Sequence, residues 1–273
     1  MVFGGETAES YYDDGLTASM KGDLARAVAS LEQAIRLDRS LLPAFHLLGK
    51  CYARLGQYDR AVTILDHLVR DRPDQILARL DLGDALLRMG RAAQAERHFT
   101  QIAKLDPGNG RALLGLSRVR MEQGNWQGAV AMAQAAEQCS GPSIAVLLAL
   151  GRAAKPAGAL DVAERALLEA ETLLEKSNEL TPDRPEGYYL RGEVNFLLNK
   201  AGSALEQFRE AAARTEEGRL YTAFGETFTF PDVLAKQGLC LERLGRTDQA
   251  RALGERIAGI DPDHRIGRAL QNL

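Results

Sequence analysis

The feature that most constrains the fold of this chain is a repeat with a period of 34 residues. An alanine recurs at this interval and returns after two insertions, at Ala27, Ala61, Ala95, Ala129, Ala163, Ala204 and Ala250. A parallel series, in which one Asn replaces Gly, runs through Gly22, Gly56, Gly90, Gly124, Gly158, Asn199 and Gly245. Self-similarity at such a period indicates stacked copies of one small supersecondary unit.

Within each copy, apolar residues follow helical spacing on both sides of the glycine, as in FHLLGKCYARLG and RAVTILDHLVRDRP. Only 6% of the residues are aromatic, whereas 45% are hydrophobic with many Ala and Leu, which favours helices over sheets. The glycine should end the first helix, because it adopts the left-handed conformation without steric cost. Each copy is therefore predicted to be a helix, a glycine turn and a second helix.

These copies resemble the tetratricopeptide repeat (TPR) family in the small, large and turn residues at its signature positions. The matching residues of the first three copies are Tyr11, Gly15, Ala27, Leu31 and Ala34; Gly49, Tyr52, Ala61, Leu65, Leu68 and Pro73; and Leu82, Gly83, Leu86, Ala95, Phe99 and Pro107. The resemblance covers about residues 8 to 264. It implies an all-α fold, an α-α superhelical solenoid of about seven helix-turn-helix units with a short C-terminal capping helix.

We expect a single solenoid over residues 1–273, with units at about 8–41, 42–75, 76–109, 110–143, 144–184, 185–214 and 231–264. Residues 215–230 are interpreted as an insertion and residues 265–273 as the cap. In the fifth unit, Pro156 should shorten the first helix, while the second helix should run on towards Pro182. Gly254 in the last unit stands where a bulky residue is expected, so it should leave a gap.

No catalytic, metal-binding or cofactor-binding motif stands out in the sequence. Cys51, Cys139 and Cys240 lack the spacing of zinc ligands, and there is no HExxH, CxxC, GxSxG or phosphate-loop sequence. Cys51 and Cys240 share one repeat position and are interpreted as small packing residues. We therefore predict no enzyme activity, no metal and no cofactor.

Charge and hydropathy narrow the class of partner and the environment. The formal net charge is −3, so no general nucleic-acid role is expected. No apolar run approaches the roughly 18 residues that span a bilayer, and the first residues lack a signal-peptide pattern. We expect a cytoplasmic protein with no transmembrane segment, or a periplasmic one if a leader was removed.

The resemblance also implies that the first helices line a concave groove and that a few positions per unit contact a partner. Those positions here hold Lys50, Arg54, Leu80, Asp84, Leu87, Arg88, Leu114, Arg118, Met121, Arg152, Lys155, Tyr189, Glu193 and Phe196. Basic residues, with Arg111 among them, outnumber Asp84 and Glu122 along the middle of the groove. Two interpretations remain open: ordinary solvated helix faces, or an apolar groove whose edges attract carboxylates. In both, Arg118 and Arg152 should be solvated.

The insertion concentrates aromatic residues that are rare elsewhere, namely Tyr221, Phe224, Phe228 and Phe230. Four exposed aromatics would favour aggregation, so they should pack against the helices. One interpretation is a structural plug of units six and seven that fills gaps such as the one at Gly254. The other is a wall or lid of the groove beside Tyr189, Phe196 and Leu197.

Alternating residues in ETFTF predict a short extended segment within this insertion. Phe228 and Phe230 would then share one side of the segment, because side chains two residues apart in a strand point the same way. That side should be buried, with Phe196 and Leu239 as its anchors.

The predicted function is a non-catalytic protein–protein interaction scaffold that binds a partner segment of acidic and apolar character in its groove. Chaperone-binding TPR domains grip a terminal carboxylate with Lys and Asn at fixed positions, which hold Tyr12, Leu16 and Leu47 here. The sequence lacks that clamp, so an internal segment or a folded partner is expected. A self-assembling homo-oligomeric scaffold and a ligand-sensing TPR regulator remain as alternatives.

Overall fold

The structure, a computed structural model, describes residues 7–273, except for the side chain of Ala223. This part of the chain contains fifteen helices and one two-stranded sheet. The helices are α1 Ala8–Lys21, α2 Leu24–Leu37, α3 Leu42–Arg54, α4 Tyr58–Asp71, α5 Ile76–Arg88, α6 Ala92–Leu105, α7 Gly110–Glu122, α8 Trp126–Ser140, α9 Ile144–Ala154, α10 Leu160–Leu180, α11 Pro185–Leu197, α12 Ala201–Ala213, α13 Phe230–Arg243, α14 Thr247–Ile260 and α15 Arg265–Gln271. The strands are β1 Tyr221–Ala223 and β2 Glu226–Phe228.

The helices from α1 to α14 follow one another as pairs; six pairs lie within the predicted segments, and the seventh begins one residue before its segment, at Phe230. The predicted irregularities of the fifth pair are confirmed. The first helix, α9, has 11 residues and ends before Pro156, whereas the second helix, α10, has 21 residues and ends two residues before Pro182. The all-α repeat architecture that the sequence pattern indicates is therefore the architecture of the protein.

The turn inside each pair has the backbone conformation that the glycine series predicts. Gly22, Gly56 and Gly90 have φ angles of 84°, 73° and 69°, in the left-handed region. Asn199, which replaces glycine in the sixth pair, has a φ of 61°, and Asn is one of the few other residues that tolerate this conformation. The conformational freedom of these residues thus ends the first helix and lets the chain reverse.

In five of the seven pairs, a glycine on the first helix packs against a bulky residue sixteen positions later on the second. A methyl group on Gly83, for example, would lie 2.6 Å from Phe99 Cζ. The same contact joins Gly15 with Leu31, Gly49 with Leu65, Gly151 with Leu167, and Gly192 with Phe208. The absence of a side chain lets the helices approach closely, and the bulky partner fills the space between them. The repeat alanine Ala95 is fully buried in the same pair.

The seventh pair lacks the bulky residue of this contact, and a different element from the predicted one fills the space. Gly254 occupies the position of the bulky residue, and the backbone of α15 packs directly against it. Leu270 of α15 contacts Gly238, where the missing bulky residue would have packed, and is 1% exposed. The capping helix therefore fills this gap, and the expectation that the aromatic insertion fills it is wrong.

The chain divides into two compact units, one ending at Gly128 and one comprising Ala129–Leu273. In unit 1, a core built around buried Leu31, Leu48 and Tyr52 lies between the first two helix pairs. In unit 2, one continuous core extends from Ala133 to Leu270 and includes aromatics of the insertion. Each unit thus has a hydrophobic core of its own, and the first helices of each carry the candidate site.

Candidate partner-binding site

The first helices of unit 1 form one surface. Helix α1 contacts α3, α3 contacts α5, and α5 contacts α7, and these contacts are closer than those among the second helices α2, α4 and α6. Helices on the inside of a curved array approach one another more closely than those on the outside, so we call the surface of α1, α3, α5 and α7 the inner face. The predicted binding residues up to Met121 lie on these helices.

The inner face of unit 1 exposes basic groups beside apolar ones. The side chains of Lys50 and Arg88 are exposed, and Leu87 and Met121, on α5 and α7, are partly buried. Arg54 is exposed and donates hydrogen bonds to the Ser19 carbonyl and hydroxyl, at 2.9 and 3.1 Å. The exposed surface of unit 1 therefore combines positive charge with modest apolar area.

Two predicted contact residues of unit 1 are core residues instead. Leu80 is 2% exposed and Leu114 is 8% exposed, so neither side chain offers area to a partner. The repeat phase placed both at positions that contact ligands in the family, but neighbouring helices cover them here. Leu80 and Leu114 therefore belong to the hydrophobic core beneath the exposed residues.

The predicted excess of positive charge on this face is reduced by Asp84, which was expected there, and by Asp81, which was not. Arg111 forms ion pairs with Asp81 and, at 2.8 Å, with Asp84. Arg118 NH1 lies 3.8 Å from Asp84, and the Arg118 side chain is only 20% exposed. Asp81 also contacts His46, at 2.7 Å. Burial raises the pKa of Asp81, but His46 and Arg111 outweigh that effect and hold the pKa below its usual value.

In unit 2, three first helices and the insertion meet at a cluster of four charged groups. Arg152 on α9 lies 3.0 Å from Glu193 on α11 and 2.7 Å from Glu226 on β2. Lys236 on α13 lies 2.7 Å from the second oxygen of Glu193. The side chain of Glu193 is 9% exposed and that of Arg152 is 24% exposed. We call Arg152, Glu193, Glu226 and Lys236 the charge cluster.

Mutual neutralisation explains why these groups remain charged although they are enclosed. Burial opposes ionisation of Glu193, but Lys236 and Arg152 outweigh it, so the pKa of Glu193 is lowered. Burial likewise opposes the charge of Arg152, and Glu226 and Glu193 raise its pKa. The expectation that Arg152 is solvated is therefore wrong, because its guanidinium is held between two carboxylates.

The aromatic insertion forms a β-hairpin that contacts first helices of unit 2. Strand β1 pairs with β2 in antiparallel register, with Tyr221 opposite Phe228, and helix α11 contacts β1. The turn has Phe224 at φ 50° and Gly225 at φ 80°, the pair of positive angles that a two-residue hairpin turn requires. The extended segment predicted from ETFTF is confirmed for β2, although its pairing into a hairpin was not foreseen.

Stacked rings anchor the hairpin. Phe228 stacks on Tyr189 with centroids 4.0 Å apart and on Tyr221 at 5.4 Å, and it is 1% exposed. The expected anchors Phe196 and Leu239 are partly buried neighbours of the same core. Phe230 is buried, but it begins α13 and so does not continue the extended segment. Phe224, at the tip of the turn, is 44% exposed.

Two further predicted residues of unit 2 are engaged in contacts within the protein. Lys155 donates to the Leu197 carbonyl and, at 3.1 Å, to Asn199. The guanidinium of Arg243 lies 3.6 Å from the centroid of the Phe196 ring and donates to the Phe196 carbonyl at 3.0 Å. Lys155 and Arg243 therefore link first helices and turns of unit 2.

The structure brings Arg152, Tyr189 and Glu193 together, and it adds two partners that sequence reasoning missed. Lys236 lies on α13, one residue after the position equivalent to Tyr189, so it is not at a contact position of the family. Glu226 lies in the insertion, which has no repeat phase, so no periodic signal could place it. Glu226 extends the site from the helices to the hairpin.

Within the described residues, no group of three or more His, Cys, Asp or Glu could hold a metal ion. Among the same residues, no helix is both long enough and apolar enough to cross a membrane. Cys51 and Cys240 are fully buried, and burial raises the pKa of both thiols, that of Cys240 to about 12. A neutral buried thiol is a poor nucleophile, so both cysteines fit the packing interpretation.

Two family models described as Tetratricopeptide repeat match residues 18–80 and 80–143 of this chain. The co-chaperone DNJ1 of Fusarium oxysporum f. sp. lycopersici, described as containing tetratricopeptide repeats and a J domain, is 33% identical over 119 residues, which are 43% of this chain and 22% of that protein. Regulatory protein AfsR of Streptomyces griseus is 26% identical over 254 residues, 90% of this chain and 25% of that protein. This chain thus spans only about a quarter of the length of these relatives.

Solved structures share the fold over most of the chain. A tetratricopeptide repeat protein from Parabacteroides merdae has a TM-score of 0.66 at 15% identity, with 98% of both chains covered. A chain of the APC/C hetero-tetramer Cut9-Hcn1 has a TM-score of 0.64 at 17% identity, covering 96% of this chain and 48% of that one. MamA from Desulfovibrio magneticus has a TM-score of 0.55 at 21% identity, covering 63% and 97%. Identities this low establish a common fold alone.

Proposed function

Because this chain is a tetratricopeptide repeat protein, we propose that it is a non-catalytic scaffold that binds a segment of a partner protein along its first helices. TPR proteins generally mediate protein–protein interaction, and one solved neighbour is a chain of a hetero-tetramer. The partner segment would be acidic and apolar, to match the exposed groups on the inner face of unit 1. The three free cysteines agree with a reducing compartment, so we place this function in the cytoplasm.

One observation supports this proposal above all: the adjoining first helices α3, α5 and α7 carry the exposed Lys50 and Arg88 together with the partly buried Leu87 and Met121. Apolar contacts in such a surface supply affinity, while the flanking charges select an acidic partner and speed its association. Arg111 and Arg118 contribute less, because Asp84 contacts both. The proposal therefore rests on fewer basic residues than the sequence suggested.

Charge reversal on this surface tests the proposal. In affinity capture from a lysate of the source cells, Lys50→Glu with Arg88→Glu should reduce the recovered partner about tenfold, because rim charges govern association. A matched control, Arg97→Glu with Lys104→Glu, reverses two exposed charges on α6, a second helix of the same unit. Both double variants should keep the stability of the wild type within about 1 kcal/mol.

The comparison between the two double variants decides the result. Loss of capture in the α3 and α5 variant alone would place the partner on the inner face. Equal loss in both variants would indicate a nonspecific effect of net charge. Unchanged capture by Lys50→Glu with Arg88→Glu would mean that the partner does not bind the inner face of unit 1.

A further inference from the structure

The hairpin occupies the surface of unit 2 on which a partner segment would be expected to lie. Its β2 strand reaches two first helices at once, through the carboxylate of Glu226 and the ring of Phe228. Glu226 Oε1 is 2.7 Å from Arg152 NH1 on α9, and Phe228 stacks at 4.0 Å on Tyr189 of α11 with an angle of 9° between the rings. Arg152 and Tyr189 on the helices therefore bind a segment of their own chain.

The spacing of the two anchors defines what this site recognises. Glu226 and Phe228 are two residues apart in a strand, so their side chains point to the same side, towards the helices. Arg152 supplies a guanidinium suited to a carboxylate, and Tyr189 supplies a flat ring for an aromatic side chain. Together, Arg152 and Tyr189 are suited to bind an extended segment that has an acidic residue two positions before an aromatic one.

We propose that β2 is an intramolecular stand-in for a partner, and that a partner segment of the form acidic-x-aromatic displaces it from Arg152 and Tyr189. This inference rests on the proposed partner-binding function and names the chemistry of one partner site. The hairpin limits that site by mass action, since the measured affinity equals the intrinsic affinity multiplied by the fraction of molecules in which the site is vacant.

The hairpin lies outside the helix pairs and has short strands, although Tyr221 and Phe228 are part of the core. It lies between the end of α12 at Ala213 and the start of α13 at Phe230, outside the helix pairs. Its strands have three residues each, and a hairpin of that size is marginal by itself. Phe224 holds a positive φ angle that bulky residues rarely adopt, so the docked form carries backbone strain that release would remove.

The test uses a fluorescein-labelled synthetic peptide, Gly-Ser-Glu-Thr-Phe-Ser-Gly, and the full chain in a fluorescence anisotropy titration. The combined substitutions Glu226→Gln and Phe228→Ala vacate the site, so this variant should bind the peptide at least about tenfold more tightly than the wild type. Adding Tyr189→Ala to the vacated variant should abolish that gain. Circular dichroism and a melting curve of each variant identify any that fail to fold.

Two control peptides test recognition in the vacated variant and, if that variant fails to fold, in the wild type. Replacing Glu by Gln, or Phe by Ala, in the peptide should each weaken binding to the protein used about tenfold or more. Equal peptide affinity in wild type and vacated variant, or equal affinity for all three peptides, would overturn the inference. Concentration-dependent dimers of the wild type that the peptide dissociates would assign the site to the hairpin of a second copy and also overturn it.

Failure of this inference is distinguishable from failure of the proposed function. The peptide titration reports on unit 2 alone, whereas lysate capture with Lys50→Glu and Arg88→Glu reports on unit 1. A wild type that captures its partner through unit 1, with a hairpin that no peptide displaces, would refute the inference and leave the proposed function intact.

Discussion

Replacing Glu193 with glutamine should lower the free energy of unfolding by about 3–5 kcal/mol at neutral pH. The carboxylate lies between Arg152 and Lys236, at 3.0 and 2.7 Å, and its side chain is 9% exposed. Glutamine preserves the shape but leaves two enclosed cations with only Glu226 as a counter-charge. The loss reflects the cost of burying unpaired charge more than the strength of any one ion pair.

The pH dependence of this effect has a definite sign. The pKa of Glu193 is lower in the folded protein than its usual value, because Lys236 and Arg152 outweigh the effect of burial. Its contribution to stability is therefore fully present above the unfolded pKa of about 4.3 and is lost as the pH falls through the folded value. The stability difference between wild type and Glu193→Gln, measured by urea unfolding, should narrow below about pH 4.

A surface ion pair in the same unit provides the matched control. Glu210 on α12 lies 2.6 Å from Arg214, which follows the helix, and the Glu210 side chain is 54% exposed. Glu210→Gln should cost no more than about 0.5 kcal/mol, because solvent screens exposed pairs. If Glu193→Gln costs as little as Glu210→Gln, the charge cluster is solvated and its enclosure by the hairpin and helices is incorrect.

Replacing Phe99 with alanine should lower the free energy of unfolding by about 3–5 kcal/mol. The ring is fully buried, and methyl groups on Gly83 of α5 or Gly115 of α7 would each lie 2.6 Å from one of its atoms. One aromatic side chain thus fills the space left by two glycines on successive first helices. Its removal leaves a cavity between the helices, which adds to the loss of apolar burial.

Phe99→Leu is the informative companion variant. Leucine fills the equivalent position in three other pairs, as Leu31, Leu65 and Leu167. This substitution should therefore cost no more than about 1.5 kcal/mol, since it keeps most of the buried volume. Thermal or urea unfolding of both variants measures the difference, and equal losses for Ala and Leu would mean that the glycine-and-bulky-residue contact does not hold the pair together.

The helix pairs could be predicted from the sequence because their determinants are local and repeated. A glycine that turns the chain, an alanine at each helix crossing and a bulky residue sixteen positions after a glycine recur often enough to be recognised in one sequence. The shortened α9 and the extended α10 followed from Pro156 and Pro182 for the same reason. Local chemistry that recurs at a fixed phase is sufficient for this level of structure.

The candidate site could be predicted only in part, because its decisive contacts are not periodic. Repeat phase placed Arg152, Tyr189 and Glu193 on first helices, but it could not show that Glu226 of the insertion would reach Arg152. Gly254 was recognised as a gap, yet which segment fills it depends on where the chain turns after α14. Exposure also depends on neighbouring helices, so Leu80 could not be identified as buried from its position alone.

The central claim is that a partner segment lies along the inner face of the first helices. The most direct measurement is site-specific photo-cross-linking in the captured complex, with a benzoylphenylalanine in place of Leu87 on α5 or, as the control, Arg97 on α6. The proposed function predicts a covalent adduct with the partner from position 87 and none from position 97. An adduct from position 97 with none from position 87 would contradict it, because the partner would then lie on the second helices.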